Sequence, residues 1–141
     1  MKPSDFAELT EDIKKELAKD PSRTFAILGH LPESYELVAI FRQLGAERRL
    51  LGIYAQKGGK GIRVMSRLKK DQPDVVVIAG DETKEDILEQ AVPYLSPLTK
   101  VLFGGYAHFE FRNQIFQEVN QTAFVTALAN GYPYTVVHMY Q

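Results

Sequence analysis

Residues 74–79 read Asp74-Val75-Val76-Val77-Ile78-Ala79 and stop at Gly80-Asp81. Four consecutive β-branched residues in so short a run suit a strand covered on both faces, as in a parallel sheet. Downstream, Ile87, Leu88, Ala91, Val92 and Leu95 fall at helical spacing. The same strand-then-helix unit recurs on either side. Residues 24–28 (TFAIL) end at Gly29-His30-Leu31-Pro32, after which Ser34 opens a helix with Leu37, Val38, Phe41 and Leu44 on its buried face and Gly45 at its end. Residues 50–55 (LLGIYA) lead through Gln56-Lys57-Gly58-Gly59-Lys60-Gly61 into a basic segment, 62–70, that reads as helical. Residues 100–103 (KVLF) close at Gly104-Gly105.

Strands alternating with helices imply right-handed crossovers. The predicted fold class is α/β: a small Rossmann-like three-layer domain with a mostly parallel four-stranded sheet. The predicted strand order is 2-1-3-4, with runs 24–28 and 74–79 central because they are the most continuously apolar. Run 50–55 is placed at an edge, since it holds a glycine and is flanked by arginines. Ahead of the sheet, Phe6, Leu9, Ile13 and Leu17 form one stripe over 4–19, an amphipathic helix capped by Ser4 or Asp5 and ended by Asp20-Pro21. The expected organisation is a lead-in helix over 1–22, the Rossmann-like domain over 23–106, and over 107–141 a linker with the start of a helix.

Composition narrows the function classes. In 141 residues, 17 Lys+Arg balance 18 Asp+Glu for a net charge of −1, and 45% of residues are hydrophobic. That is the composition of a packed domain, with no overall field to attract nucleic acid or anionic lipid. Zero cysteines exclude disulfides, thiolate metal sites and a cysteine nucleophile. No run approaches the ~18 apolar residues of a membrane span, and the acidic, interrupted N-terminus does not read as a signal peptide. The expectation is a soluble, cytoplasmic protein that binds neither nucleic acid nor membrane.

In open α/β sheets ligands bind beyond the carboxyl ends of the strands. The candidate ligand-binding residues there are Gly29, His30, Lys57, Gly58, Gly59, Asp81, Gly105 and His108. Glycines let backbone amides approach a ligand, a lysine meets an anion, and Asp81 or the histidines hydrogen-bond hydroxyls. The dinucleotide fingerprint fails in the first loop, which offers Gly29 alone, and the second strand lacks the ribose-binding acid. A helix N-terminus at Ser34 still offers N–H groups to an anion. Gly58-Gly59-Lys60-Gly61 is not a Walker A loop; it reads as a solvated turn or an anion nest. Residues 48–70 carry eight basic and no acidic side chains, whereas 71–89 carry seven carboxylates and one lysine that could offset them. His30, Asp81 and His108 are either an acid/base or metal set, or unrelated loop residues. No catalytic or metal-binding residue is assigned.

Two segments carry a resemblance. Gly104-Gly105-Tyr106-Ala107-His108-Phe109-Glu110-Phe111-Arg112-Asn113 and the run 128–141, with its Asn130-Gly131-Tyr132-Pro133-Tyr134-Thr135 core, resemble the linker preceding the catalytic domain of macrocin O-methyltransferase-like proteins. Residues 72–95 are similar to accessory Rossmann-like domains that accompany methyltransferases and sugar-modifying enzymes. The resemblance implies a non-catalytic N-terminal accessory domain of an S-adenosylmethionine-dependent methyltransferase, positioning substrate or mediating assembly. It implies no cofactor in this segment, with S-adenosylmethionine held by the missing catalytic domain. The implied partners are that domain in cis, a small-molecule or nucleotide-sugar ligand, and a second copy in a homo-oligomer. The alternative is a stand-alone module binding a nucleotide, sugar nucleotide or CoA. A complete enzyme using His30 or His108 with Asp81 is a third reading.

Overall fold

Four fully buried residues, Val75–Ile78, form a strand at the centre of the sheet. The computed structural model describes residues 3–78, 84–96, 99–103, 108–111, 114–117 and 136–138. Its helices are α1 (Pro3–Lys19), α2 (Pro32–Gln43), the single turn α3 (Leu68–Asp71) and α4 (Lys84–Ala91). Its strands are β1 (Phe25–Leu28), β2 (Leu50–Ala55), β3 (Ile62–Val64), β4 (Val75–Ile78), β5 (Lys100–Phe103), β6 (His108–Phe111), β7 (Gln114–Gln117) and β8 (Val136–His138). A wholly parallel six-stranded sheet runs β3-β2-β1-β4-β5-β8, and β6 pairs with β7 antiparallel in a separate two-stranded sheet.

The α/β, Rossmann-like expectation holds. The strand count and full order do not: the four expected strands keep their relative order, but β3 and β8 extend the sheet at its two ends. Run 50–55 is therefore internal, covered at its outer side by β3 through Ile53–Ile62, Tyr54–Arg63 and Ala55–Val64. Residues 62–70 are not one helix but a strand, a 3-10 turn (Met65–Arg67) and α3. A parallel pair usually needs a crossover of a dozen residues or more, yet β2 and β3 are joined by 56–61. The return is made by a tight turn in which Gly59 and Ile62 exchange both backbone hydrogen bonds at 3.0 Å, with Gly61 at φ +77° in the position a type II turn reserves for glycine. The expected helix at the end of 107–141 is also corrected: Val136–His138 is β8, paired with Lys100–Leu102 of β5.

Period-two alternation splits the core into two layers. Ala26, Leu28, Val76, Ile78 and Val101 face α4 and the 65–68 turn through Met65, Leu68, Ile87, Leu88 and Ala91. Phe25, Ile27, Val75, Val77 and Leu102 face α1 and α2 through Leu9, Ile13, Leu37 and Phe41. The two crossover helices thus lie on opposite faces, α2 leading from β1 to β2 and α4 following β4. That places a topological switch point between the carboxyl ends of β1 and β4. No helix among the described residues is long and apolar enough to cross a membrane.

Two polar anchors fix α1. The Arg49 guanidinium donates to the carbonyls of Leu17 and Arg23, each at 2.9 Å, and to that of Asp20, satisfying acceptors at and beyond the helix C-terminus. Glu16, only 2% exposed, accepts from Lys100 at 2.6 Å and from Lys19 at 3.1 Å, with Arg23 at 3.6 Å.

Candidate ligand-binding rim at the strand carboxyl ends

The loop after β1 is closed by its own side chains. Gly29 sits at φ +96°, its N–H donates to the Tyr54 carbonyl at 2.8 Å, and its carbonyl accepts from the buried Ser34 hydroxyl at 2.6 Å. The helix does not open at Ser34, where the sequence predicts its start. Helix α2 starts two residues earlier at Pro32, with Leu31 as the cap, and Ser34 Oγ reaches back to accept from the Leu31 N–H at 3.3 Å. Pro32 has no N–H, Ser34 N–H is bonded to the Leu31 carbonyl at 3.0 Å, and Glu33 adds an acid to the first turn. A helix N-terminus that receives phosphate keeps its amides free and its first turn positive. Here Pro32 carries no amide, the Ser34 amide is taken, and Glu33 adds a negative charge, which leaves the Glu33 amide as the first-turn N–H without a partner among the described residues.

Gly29 serves packing instead. A β-carbon at this position would lie 2.6 Å from Ile87 Cδ1, so α4 packs directly against the turn.

His30, exposed at the same turn, shares a 2.7 Å hydrogen bond between Nε2 and the Tyr35 hydroxyl, the phenol donating when Nε2 carries no proton. Tyr35 is 53% exposed, an aromatic face standing in solvent beside the switch point. The neighbouring strand end supplies Lys57, Gly58 and Gly59, all exposed. A β-carbon on Gly58 would come within 3.3 Å of the Val64 backbone nitrogen, so this glycine admits the close return of the chain onto β3. The Gly59 amide is spent in the turn. The structure thus gathers Gly29, His30, Lys57, Gly58 and Gly59 at one end of two adjacent strands, without a direct hydrogen bond among their side chains. His108 opens β6, and its side chain lies outside the described residues, as do Asp81 and Gly105. Among the described residues no three His, Asp or Glu side chains group as a metal site.

The basic stretch divides. Arg49 caps α1, while Arg63 and Arg67 pair with Asp71 at 3.1 and 3.7 Å. Arg48, Lys57, Lys60, Lys69 and Lys70 are exposed and make no ion pair among the described residues. Asp71 also accepts from the buried Tyr54 hydroxyl at 2.6 Å, and the Arg63 guanidinium lies 5.9 Å above the Tyr54 ring. Burial, reinforced by that hydrogen bond to Asp71, pushes the Tyr54 hydroxyl up to about 12. The Tyr54 hydrogen bond, aided by Arg63 and Arg67, in turn holds Asp71 below its ordinary value.

Sequence reasoning missed Glu16 and Tyr54. Glu16 lies seven residues after Leu9 and three after Ile13, on the apolar stripe itself, which already demands a buried cation. No comparable local signal marks Tyr54, whose partner stands seventeen residues away.

No protein-family model matches this chain, and no curated protein or solved structure does either.

Proposed function

We propose that this chain is a non-catalytic accessory module of an S-adenosylmethionine-dependent methyltransferase, positioning substrate or mediating assembly for a catalytic domain in cis. The observation that carries the proposal is the closed β1 turn. Its amide and carbonyl are bonded to Tyr54 and Ser34, its helix start is Pro32, and Ile87 packs against Gly29. A nucleotide-binding sheet leaves those groups to the phosphates, so methyl-donor chemistry belongs to another domain on this reading. The resemblance of 104–113 and 128–141 to a methyltransferase linker is what implies that domain.

The exposed rim of His30, Tyr35 and Lys57 supports substrate positioning. In the protein extended through the catalytic domain, His30→Ala with Tyr35→Ala is expected to raise the KM for the methyl acceptor while leaving the Kd for S-adenosylmethionine unchanged. Unaltered acceptor KM and unaltered assembly, with Lys57→Ala added, would refute the reading.

The same rim favours a second reading, a stand-alone module for a nucleotide, sugar nucleotide or CoA, since Lys57 has no ion pair among the described residues and stands at the ligand end of the sheet. Thermal unfolding with each ligand class separates the two. A ligand at 100 times its Kd stabilises by about 2.7 kcal/mol, and accessory function without nucleotide binding expects no such shift.

A further inference from the structure

At the amino edge of the sheet, opposite the rim, the end of α3 and the 3-10 turn Val92–Tyr94 bound a cavity of about 200 Å³. Its apolar side is formed by buried residues, Leu68 at 1% and Leu95 at 7% exposed, and the hydroxyl of buried Thr99 accepts from the Ser96 N–H at 3.2 Å. The polar residues that line it are Lys69, Gln72, Tyr94, Ser96 and Thr99, and the side chains of Lys69, Gln72 and Tyr94 have no hydrogen-bond or ion-pair partner among the described residues. No Asp or Glu lines it. Gln72 also holds φ +45°, the left-handed conformation that glycine adopts at lower cost after a helix. Glutamine there places a carboxamide donor beside the cavity that glycine would not.

Apolar walls, a cation without an ion pair among the described residues and several uncharged hydrogen-bonding residues define a ligand by complementarity. A cavity of ~150 Å³ accepts one benzene ring, so this one holds a ring with a small substituent. We propose that it binds a small monocarboxylate with a single apolar ring, the ring against Leu68 and Leu95 and the carboxylate toward Lys69, Gln72 and Tyr94. The site is independent of the methyltransferase reading and lies at the other end of the strands.

The test is a titration of the ¹⁵N-labelled chain with benzoate and with the uncharged benzamide, followed by amide shifts at millimolar ligand. Benzoate is expected to give saturable shifts at Leu68, Gln72, Leu95 and Thr99 and to bind about tenfold more tightly than benzamide, the equivalent of 1.4 kcal/mol. In Lys69→Met, an exposed substitution whose unchanged unfolding temperature confirms the fold, that difference is expected to vanish. Gln72→Gly, which keeps the turn, is expected to weaken benzoate severalfold. Absence of saturable shifts at these amides, shifts confined to other residues, or equal affinity for the two probes overturns the proposal.

Discussion

The Glu16 carboxylate and the Lys100 ammonium meet at 2.6 Å across 84 residues of sequence, tying the lead-in helix to the first residue of β5. Burial alone would raise the Glu16 pKa, but hydrogen bonds from Lys100 and Lys19 outweigh it and hold the carboxyl below its usual 4.5. Removing one member of a buried pair strands the other charge at a cost of ~3–5 kcal/mol. Lys100 keeps 16% of its side chain in solvent, so Glu16→Gln is expected at the low end, about 3 kcal/mol by urea unfolding. Glu16→Leu with Lys100→Met should recover most of that loss. The sign with pH follows: the folded carboxyl is depressed, so its contribution is full above 4.5 and lost as pH falls through the folded value.

Tyr54 sets an alkaline limit. Its folded hydroxyl titrates near 12 against an ordinary 10.0, so the unfolded chain loses that proton first and stability falls between those values. Two units correspond to roughly 3 kcal/mol. In Tyr54→Phe the fall across this window should shrink by about that amount, while stability at pH 7 drops by about 1 kcal/mol for the lost hydrogen bond. Ultraviolet titration of tyrosinate checks the assignment: one phenol fewer should ionise near 12 in the variant.

Gly29→Ala tests the closed turn. Left-handed backbone costs a non-glycine residue about 1–2 kcal/mol, and the new methyl would meet Ile87 Cδ1 at 2.6 Å. A total loss of about 2 kcal/mol is expected in thermal unfolding. Shortening the neighbour in Gly29→Ala/Ile87→Val should relieve the clash and leave the backbone cost, so the double variant's loss should be less than the sum of the two single losses. Strict additivity would contradict the packing role.

Arg49→Met removes the guanidinium that bonds Leu17, Asp20 and Arg23 carbonyls. A loss of about 2 kcal/mol is expected, with hydrogen-exchange protection falling first in the last turn of α1. Arg49→Lys should recover only part of it, because an ammonium lacks the planar fork that reaches three acceptors.

The central sheet was legible because its strands are apolar on both faces: the runs at 24–28 and 74–79 are short, rich in β-branched or aromatic residues and stopped by glycine, which favours a strand over a helix. The outer strands were not. β3 is three residues long, holds Arg63 and follows a glycine turn where a crossover helix is the usual element. β8 is three residues in an aromatic stretch whose apolar run fits a helix equally well. At the rim, Gly29 was found for its backbone freedom, but the reason differs: Ile87 fills the space, and that contact joins residues 58 positions apart. His30 was located and its partner, Tyr35 five residues on, was not, since α2 brings them together only by starting at Pro32.

The measurement that bears most directly on the accessory-module proposal is calorimetric titration of S-adenosylmethionine into this chain and into the chain extended through the catalytic domain that the proposal places downstream. The account predicts no saturable heat with the 141 residues alone and stoichiometric binding with the extended protein. Saturable binding to the 141-residue chain, abolished by substitutions at the Gly29–His30 turn, would contradict it.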